Sequence, residues 1–221
     1  MRTFAIVGEG LTDQVVIENI LNGLFEDPNV RFVQPTLDLT DASRKAGAGG
    51  WTEVFRFCDS ELLADAFAAN DFVIIQIDTD VCSERGFDVS STVDGEPLEC
   101  RELVEAVCKR LHEAIDSNLL FEAEEKIIFA VCVNSIECWL LPLLFDTKAH
   151  YGKTTGCLEA VNSALNKRNA GYYLHSKAEE YYSMLSNPYS KRKNIERNYK
   201  KNPSLKIFVE SLKAIPDEAS K

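Results

Sequence analysis

The 221-residue chain lacks several features that would assign it to a large class of proteins. It has no apolar run of the roughly 18 residues that a membrane-spanning helix needs. It has no Cys-x-x-Cys pair, and none of its three histidines has a ligand partner at a zinc spacing. The Gly-x4-Gly-Lys-Ser/Thr motif of P-loop ATPases is also missing. These absences disfavour a membrane partner, a zinc module and an ATPase site within these residues.

The seven cysteines are an odd number and mostly interrupt apolar patterns. We interpret all of them as reduced core residues, which is typical of a cytoplasmic protein. The first residues lead directly into a strand pattern, so we also expect no cleaved leader.

Charge is unevenly distributed along the chain, whose formal net charge is −11. Residues 1–147 carry 10 basic and 28 acidic residues, whereas residues 148–221 carry 14 and 7. An acidic surface repels nucleic acid unless cations offset it, while the C-terminal part favours phosphates or is simply a solvated helical face.

Three apolar, β-branched runs predict buried parallel strands, at residues 4–8, 72–77 and 126–133. Residues 31–37 predict a further, shorter strand because Pro35 interrupts it. Helical periodicity follows at residues 15–24, 51–69 and 99–115, and Cys138 begins another helix, with Pro142 tolerated in its first turn. The alternation of strands and helices predicts a three-layer α/β domain with a mainly parallel sheet over residues 1–147.

Residues 148–221 predict a helical, basic region that packs on this domain. Its apolar periods indicate helices at residues 158–165, 178–185 and 204–212.

Acidic residues follow the predicted strands at their carboxyl ends. Glu9 follows the first strand, and Asp78 and Asp80 follow the third. Open α/β sheets bind ligands at that edge, and the two carboxylates of an extended Asp-x-Asp segment point the same way. Asp13 and Glu137 are predicted at the same edge. Carboxylate oxygens suit Mg²⁺, so these five acids predict a metal site, with Glu9, Asp78 and Asp80 as the catalytic set.

A simpler interpretation stays open for each acid. Glu9, Asp78 and Asp80 would then be polar turn residues at strand ends. Asp13 and Glu137 would lie in first helical turns, where a negative charge favours the helix dipole.

The segments Ile6–Asp13 and Ile75–Asp80 together resemble the Toprim domain, a Rossmann-like fold shared by topoisomerases, bacterial primases and overcoming-lysogenisation-defect nucleases. The resemblance implies acid/base or metal-binding work for Glu9 and magnesium coordination by Asp78 and Asp80. The acid at position 13 is similar to the nuclease branch, in which a second acid helps to hold a second metal. Residues 133–141 resemble small stand-alone Toprim-like proteins of bacterial phage defence.

The chain also departs from several members of that family. No tyrosine is convincingly placed as a topoisomerase nucleophile, and there is no primase zinc module. Because no ATPase motif is present, an ATPase partner would be a separate chain.

Basic residues predict where nucleic acid would bind. The stretch at residues 189–201 interleaves cations with tyrosines able to stack on bases, although a solvated basic helix is an equal alternative. The candidate contacts to nucleic acid are Lys45, Lys191, Arg192, Lys193, Arg197 and Lys200. The candidates for a cation that assists the reaction are Lys45, Arg85, Lys153 and Lys177. The glycine-rich loop at residues 47–50 is a candidate for closing over substrate.

The leading hypothesis is a cytoplasmic nuclease that uses Mg²⁺ or Mn²⁺ to hydrolyse DNA or RNA in antiviral defence, working with a separate ATPase or regulator and open to homo-oligomerisation. Two alternatives are a non-catalytic binding module of the same fold, and phosphoryl or nucleotidyl transfer on a small substrate.

Overall fold

A four-stranded sheet in which every strand is parallel forms the centre of the computed structural model, which describes residues 1–36, 47–174 and 178–216. The strand order is β2-β1-β3-β6, and a separate hairpin pairs β4 with β5. The strands are β1 (Thr3–Val7), β2 (Asn29–Gln34), β3 (Phe72–Asp78), β4 (Thr92–Val93), β5 (Glu96–Pro97) and β6 (Ile127–Cys132). The predicted α/β class is therefore confirmed.

The helices of the described residues are α1 (Leu11–Leu24), α2 (Trp51–Cys58), α3 (Glu61–Ala69), α4 (Cys100–Glu113), α5 (Ser117–Ala123), α6 (Glu137–Leu144), α7 (Cys157–Lys167), α8 (Glu179–Ser186), α9 (Arg192–Asn198) and α10 (Pro203–Lys213). Short 3₁₀ turns flank α9 at Asn187–Ser190 and Tyr199–Lys201. None of these helices is both long and apolar enough to cross a membrane.

Alternate residues of each strand face opposite layers, which gives three layers. In β1, Phe4 and Ile6 pack with α1, α6 and the C-terminal helices. Ala5 and Val7 pack with α2, α3 and α4 on the other face. All four side chains are fully buried, as expected for an inner strand of a parallel sheet.

The C-terminal helices belong to the same core as the sheet. Leu205 and Phe208 of α10 and Val161 of α7 are buried in the cluster that contains Phe4 and Ile6. The boundary at residue 147 stays a prediction, but residues on both sides of it fill one core.

The predicted extent of one helix was wrong. The helix expected at residues 51–69 is divided into α2 and α3, because Ser60 takes an extended conformation and its hydroxyl bonds the Phe57 carbonyl. The connection between β3 and α4 contains the β4–β5 hairpin. Its Asp94 and Gly95 both have positive φ, as a two-residue turn between twisted strands requires.

Pro142 lies in the middle of α6 rather than in its first turn. A proline in a helix leaves the carbonyl four residues earlier without its usual donor. Here that carbonyl belongs to Cys138, and it accepts a hydrogen bond from the Asn202 side chain at 3.3 Å. The C-terminal region thus satisfies a backbone group in the core.

The prediction of seven reduced cysteines is wrong for Cys138 and Cys157, which form a disulfide between α6 and α7. Their Cα atoms are 5.0 Å apart, within the usual range for a disulfide. Sequence pattern does not reveal the pair, because the two cysteines are 19 positions apart and only the packing of α7 on α6 brings them together. Cys58, Cys82, Cys100, Cys108 and Cys132 are free. A cytoplasmic location stays a prediction.

Gly23 allows the close approach of α1 to the 3₁₀ turn at Asn187–Ser190. A Cβ atom at this position would lie 2.0 Å from the Tyr189 carbonyl oxygen and 2.6 Å from Ile195 Cδ1. We predict that Gly23→Ala lowers the free energy of unfolding by about 1–3 kcal/mol, since the clash with a backbone atom outweighs the better helix propensity of alanine. Urea denaturation measures this. Gly47→Ala is the control, because its Cβ would meet only ordinary contacts, and an equal effect of both changes would contradict the prediction.

Candidate functional site

The carboxyl ends of β1 and β3 lie side by side at the centre of the sheet. The chain passes from β1 outward to β2, and then crosses back to β3 on the other side of β1. The direction in which successive strands are added to the sheet therefore reverses between β1 and β3. Open α/β sheets bind their ligands at such a topological switch point. Glu9 follows β1 and Asp78 ends β3, so two of the predicted acids lie there.

Three side chains fix the relative position of these two strand ends. The Asp78 amide donates to Glu9 Oε1 at 2.7 Å, and the Glu9 amide donates to Gln76 Oε1 at 2.9 Å. Gln76 Nε2 also donates to Asp78 Oδ1 at 2.9 Å. Gln76 is fully buried, and its side chain links Glu9 to Asp78 through these two hydrogen bonds.

The end of β6 holds the Asp-x-Asp segment from its other side. The amides of Thr79 and Asp80 both donate to the Asn134 carbonyl at 3.1 Å, and the Asn134 amide donates to the Thr79 hydroxyl oxygen at 2.8 Å. Asn134 has a φ of 68°, a left-handed conformation that asparagine tolerates better than most residues. Asp80 is held at the edge in this way, with its side chain exposed.

The glycine-rich loop lies against the backbone of Glu9. The Gly50 amide donates to the Glu9 carbonyl oxygen at 2.7 Å, and a Cβ atom on Gly49 would lie 2.3 Å from that oxygen. The loop thus supports Glu9 from outside the sheet. Its closing over substrate stays a prediction.

Asp78 shows how closely the five predicted acids approach one another. Its pKa is raised well above the ordinary value by burial, and then by the negative charges of Asp13, Glu9, Glu137 and Asp80. The structure therefore brings all five acids from three strand ends into one electrostatic cluster. Their catalytic and metal-binding roles stay predictions.

A cavity of about 310 Å³ opens beside this cluster. Its wall includes four of the five predicted acids, Asp13, Asp78, Asp80 and Glu137. Gly156 and the first residues of α7, Cys157, Leu158 and Glu159, also form part of the wall. The cavity thus lies between the α/β layers and the C-terminal region, and Glu159 adds a fifth carboxylate to its lining that the strand pattern did not predict.

Lys153 lies close to the α7 wall of the cavity. A Cβ atom on Gly156 would be 3.8 Å from Lys153 Nζ and 3.7 Å from Glu159 Oε2. Of the four cations considered from the sequence, Lys45 and Lys177 lie outside the described residues, and Arg85 is exposed in the turn after Asp80. Of the two candidates within the described residues, Lys153 thus lies near Gly156 of the cavity lining, although Lys153 does not itself line the cavity.

Glu137 faces the C-terminal region as well as the cavity. Its Oε1 accepts a hydrogen bond from the Tyr182 hydroxyl of α8, and both residues are buried. Glu137 begins α6, so its carboxylate also lies at a helix N-terminus, where a negative charge is favoured.

The donor set of the cluster fits a hard divalent cation, since all its members are carboxylates and their charges are concentrated beside a solvent-accessible cavity. Even so, within residues 1–36, 47–174 and 178–216 no group of three Asp, Glu, His or Cys side chains is arranged to hold a metal ion. Glu9 Oε1, Asp78 Oδ1 and Glu137 Oε1 instead accept hydrogen bonds from the protein. One oxygen of each of these three carboxylates is therefore bonded to the protein, and a cation would bind the cluster through its other oxygens.

None of the predicted nucleic-acid contacts within the described residues lines the cavity. Lys191, Arg192, Lys193, Arg197 and Lys200 are all exposed, and Lys45 lies outside the described residues. The turn before α9 packs on Gly23, near the end of α1. Twelve residues separate Gly23 from the start of α1 beside the acids, which is about 18 Å along the helix axis at 1.5 Å per residue.

The two tyrosines of this stretch cannot stack on bases, which corrects their predicted role. Tyr189 is fully buried and donates to the Trp139 carbonyl oxygen at 2.6 Å, and Tyr199 is also buried. Arg197 pairs with Asp146 at 2.7 Å. The predicted binding surface therefore consists of exposed cations, and its two tyrosines are not available to stack on bases.

No family model, curated protein or solved structure matches this chain. The resemblance to Toprim domains therefore stays a prediction that rests on the strand-end acids.

In the absence of divalent cations, the raised pKa of Asp78 predicts how the stability of the folded protein depends on pH. A raised folded-state pKa means that the folded protein gains stability as the pH falls, so ionised Asp78 destabilises it at neutral pH. We predict that Asp78→Asn raises the melting temperature at pH 8 in chelator. The advantage should shrink as the pH falls through the folded-state pKa toward the ordinary value of 3.8.

Asp71 is the matched control, because its pKa is lowered by hydrogen bonds from the Thr3 amide and hydroxyl. Its contribution is present above the ordinary pKa and is lost in acid, so Asp71→Asn should lower the melting temperature at pH 8. Thermal melts of both variants between pH 4 and pH 8 test the two signs. The same sign for both variants would contradict the assignment.

Proposed function

We propose that this protein hydrolyses phosphodiester bonds of DNA or RNA with the help of Mg²⁺ or Mn²⁺. The observation that carries the proposal is the group of five carboxylates around Asp78. They lie beside a cavity at the topological switch point between β1 and β3. Like charges this close are costly unless a cation offsets them, and hard cations are the usual partners of phosphate oxygens in such sites. A role in antiviral defence with a separate ATPase or regulator rests on the family resemblance alone.

The roles of the acids follow from their positions. Asp80 is exposed on the cavity wall and, with Asp78, would hold a metal ion. Asp13 and Glu137 line the same cavity and would complete or bridge a second site. A bound divalent cation would activate water and stabilise negative charge on the scissile phosphate.

Glu9 is held differently from the other acids, since it is not in the cavity wall and its Oε1 is fixed by the Asp78 amide. It would accept or return the proton of the attacking water, or share a metal ion with Asp78. Lys153, whose Nζ lies near Gly156 of the cavity lining, would contact a phosphate oxygen of the substrate.

Conservative changes of the acids test the proposal. We predict that Glu9→Gln and Asp80→Asn each reduce Mn²⁺-dependent cleavage of DNA, bulk RNA or tRNA at least a hundredfold. Glutamine keeps an acceptor oxygen for the Asp78 amide, so loss of cleavage would report on charge rather than on folding. Asp146→Asn is the control, because Asp146 is an exposed acid paired with Arg197 and Lys201. Unchanged cleavage by both site variants would overturn the proposal.

A second candidate is phosphoryl or nucleotidyl transfer on a small substrate. The size of the cavity favours it, since about 310 Å³ is at the lower end of the range for small-ligand sites. The absence of the α9 cations from the cavity lining also favours it, because a small substrate needs only the cavity.

The exposed cations before and within α9 distinguish the two candidates. We predict that replacing Lys191, Arg192 and Lys193 together by Ala weakens DNA binding and makes it less dependent on salt. The slope of log affinity against log salt should become shallower by about 0.9 for each phosphate that the variant no longer neutralises. Hydrolysis of a small phosphodiester such as bis-p-nitrophenyl phosphate should not change.

Arg101→Ala with Lys109→Ala is the control for the triple change, because both residues lie on the exposed face of α4. Turnover of nucleotides with no effect of the triple change on any polymer would favour the second candidate.

A further inference from the structure

Tyr182 connects the C-terminal region to the acidic cluster. Its side chain is 1% exposed, and its hydroxyl donates to Glu137 Oε1 at 2.5 Å. Glu137 is 7% exposed and lies in the cavity wall. The hydrogen bond joins residues 45 positions apart, from α8 to the first residue of α6.

The position of Tyr182 is fixed by contacts that do not involve Glu137. The Ser186 hydroxyl donates to the Tyr182 carbonyl oxygen at 2.6 Å, and Asn19 of α1 donates to the Ser186 hydroxyl oxygen at 2.8 Å. Asn19 also reaches the Ser183 carbonyl oxygen at 3.3 Å. Because α1 carries Asp13 in its first turn, the helix that supplies one acid also anchors the donor to another.

The surroundings of Tyr182 keep its hydroxyl protonated. Burial raises its pKa, and the negative charges of Glu137, Asp13 and Asp78 raise it further. The phenol is therefore a neutral donor at physiological pH. A lysine at this position would form an ion pair with Glu137 and lower the negative charge of the cluster, whereas a tyrosine orients the carboxylate and leaves that charge in place.

We infer that Tyr182 is a positioning residue that holds Glu137 in the orientation required for divalent-cation binding, so that α8 completes the acidic site. This inference rests on the proposed metal-dependent function. A residue that orients a metal ligand typically contributes 10- to 100-fold to metal affinity or activity. Tyr182→Phe removes only the hydroxyl and keeps the packing of the ring.

The experiment is a Mn²⁺ titration of the full chain, followed by calorimetry and by the rise in melting temperature, without any substrate. We expect Tyr182→Phe to weaken Mn²⁺ binding about tenfold or more. Tyr189→Phe is the matched control, because Tyr189 is equally buried in the same region and donates to a backbone carbonyl rather than to a carboxylate. Tyr189→Phe should lose stability but keep the wild-type affinity for Mn²⁺.

A double-mutant cycle separates positioning from simple destabilisation. If Tyr182 acts through Glu137, then Tyr182→Phe should weaken Mn²⁺ binding no further once Glu137→Gln is present. The double variant lacks the buried charge together with its donor, so it remains usable if Tyr182→Phe alone does not fold. Additive losses in the cycle would overturn the inference, as would wild-type affinity in Tyr182→Phe. Absence of Mn²⁺ binding by the wild-type chain would instead overturn the proposed function.

Discussion

Mutual repulsion among the carboxylates at the carboxyl edge of the sheet is the constraint on which the surrounding structure depends. It acts strongly on Asp78, because four other acids lie near Asp78 while it is largely enclosed by protein. Neutral donors hold three of these acids: the Gln76 side chain bonds Asp78, the Asp78 amide bonds Glu9, and the Tyr182 hydroxyl bonds Glu137, each at one carboxylate oxygen. These donors orient the acids without removing their charge, so the edge keeps its attraction for positive ions.

The sequence predicted the parts of the fold and site that depend on local pattern. Strand-length apolar runs located β1, β3 and β6, and the acids that follow them came together because parallel strands end at one edge. Gln76 had a recognisable signal as a single polar residue inside an apolar strand, and its burial gives the reason. Tyr182 and Glu159 had no such signal, since only the packing of α7 and α8 brings them to the site.

The errors also have physical explanations. Three of the features that the sequence did not predict depend on long-range contacts with the C-terminal helices. They are the disulfide between Cys138 and Cys157, the burial of Tyr189, and the bond from Asn202 to the Cys138 carbonyl, which Pro142 cannot satisfy. Periodicity reports which face of a helix is apolar but not what covers that face. The split of the helix expected at residues 51–69 is different, because a local bond from the Ser60 hydroxyl to the Phe57 carbonyl ends α2.

The bond between Asn202 and the Cys138 carbonyl has a consequence for the order in which the chain folds during synthesis. The α/β layers leave the ribosome first, and until residues 182 and 202 follow, the Cys138 carbonyl and the Glu137 carboxylate lack these protein donors. Burying either group without its donor would cost free energy, so water must solvate this face of α6 in the meantime. The acidic edge therefore reaches its final form only when α8 and α10 dock.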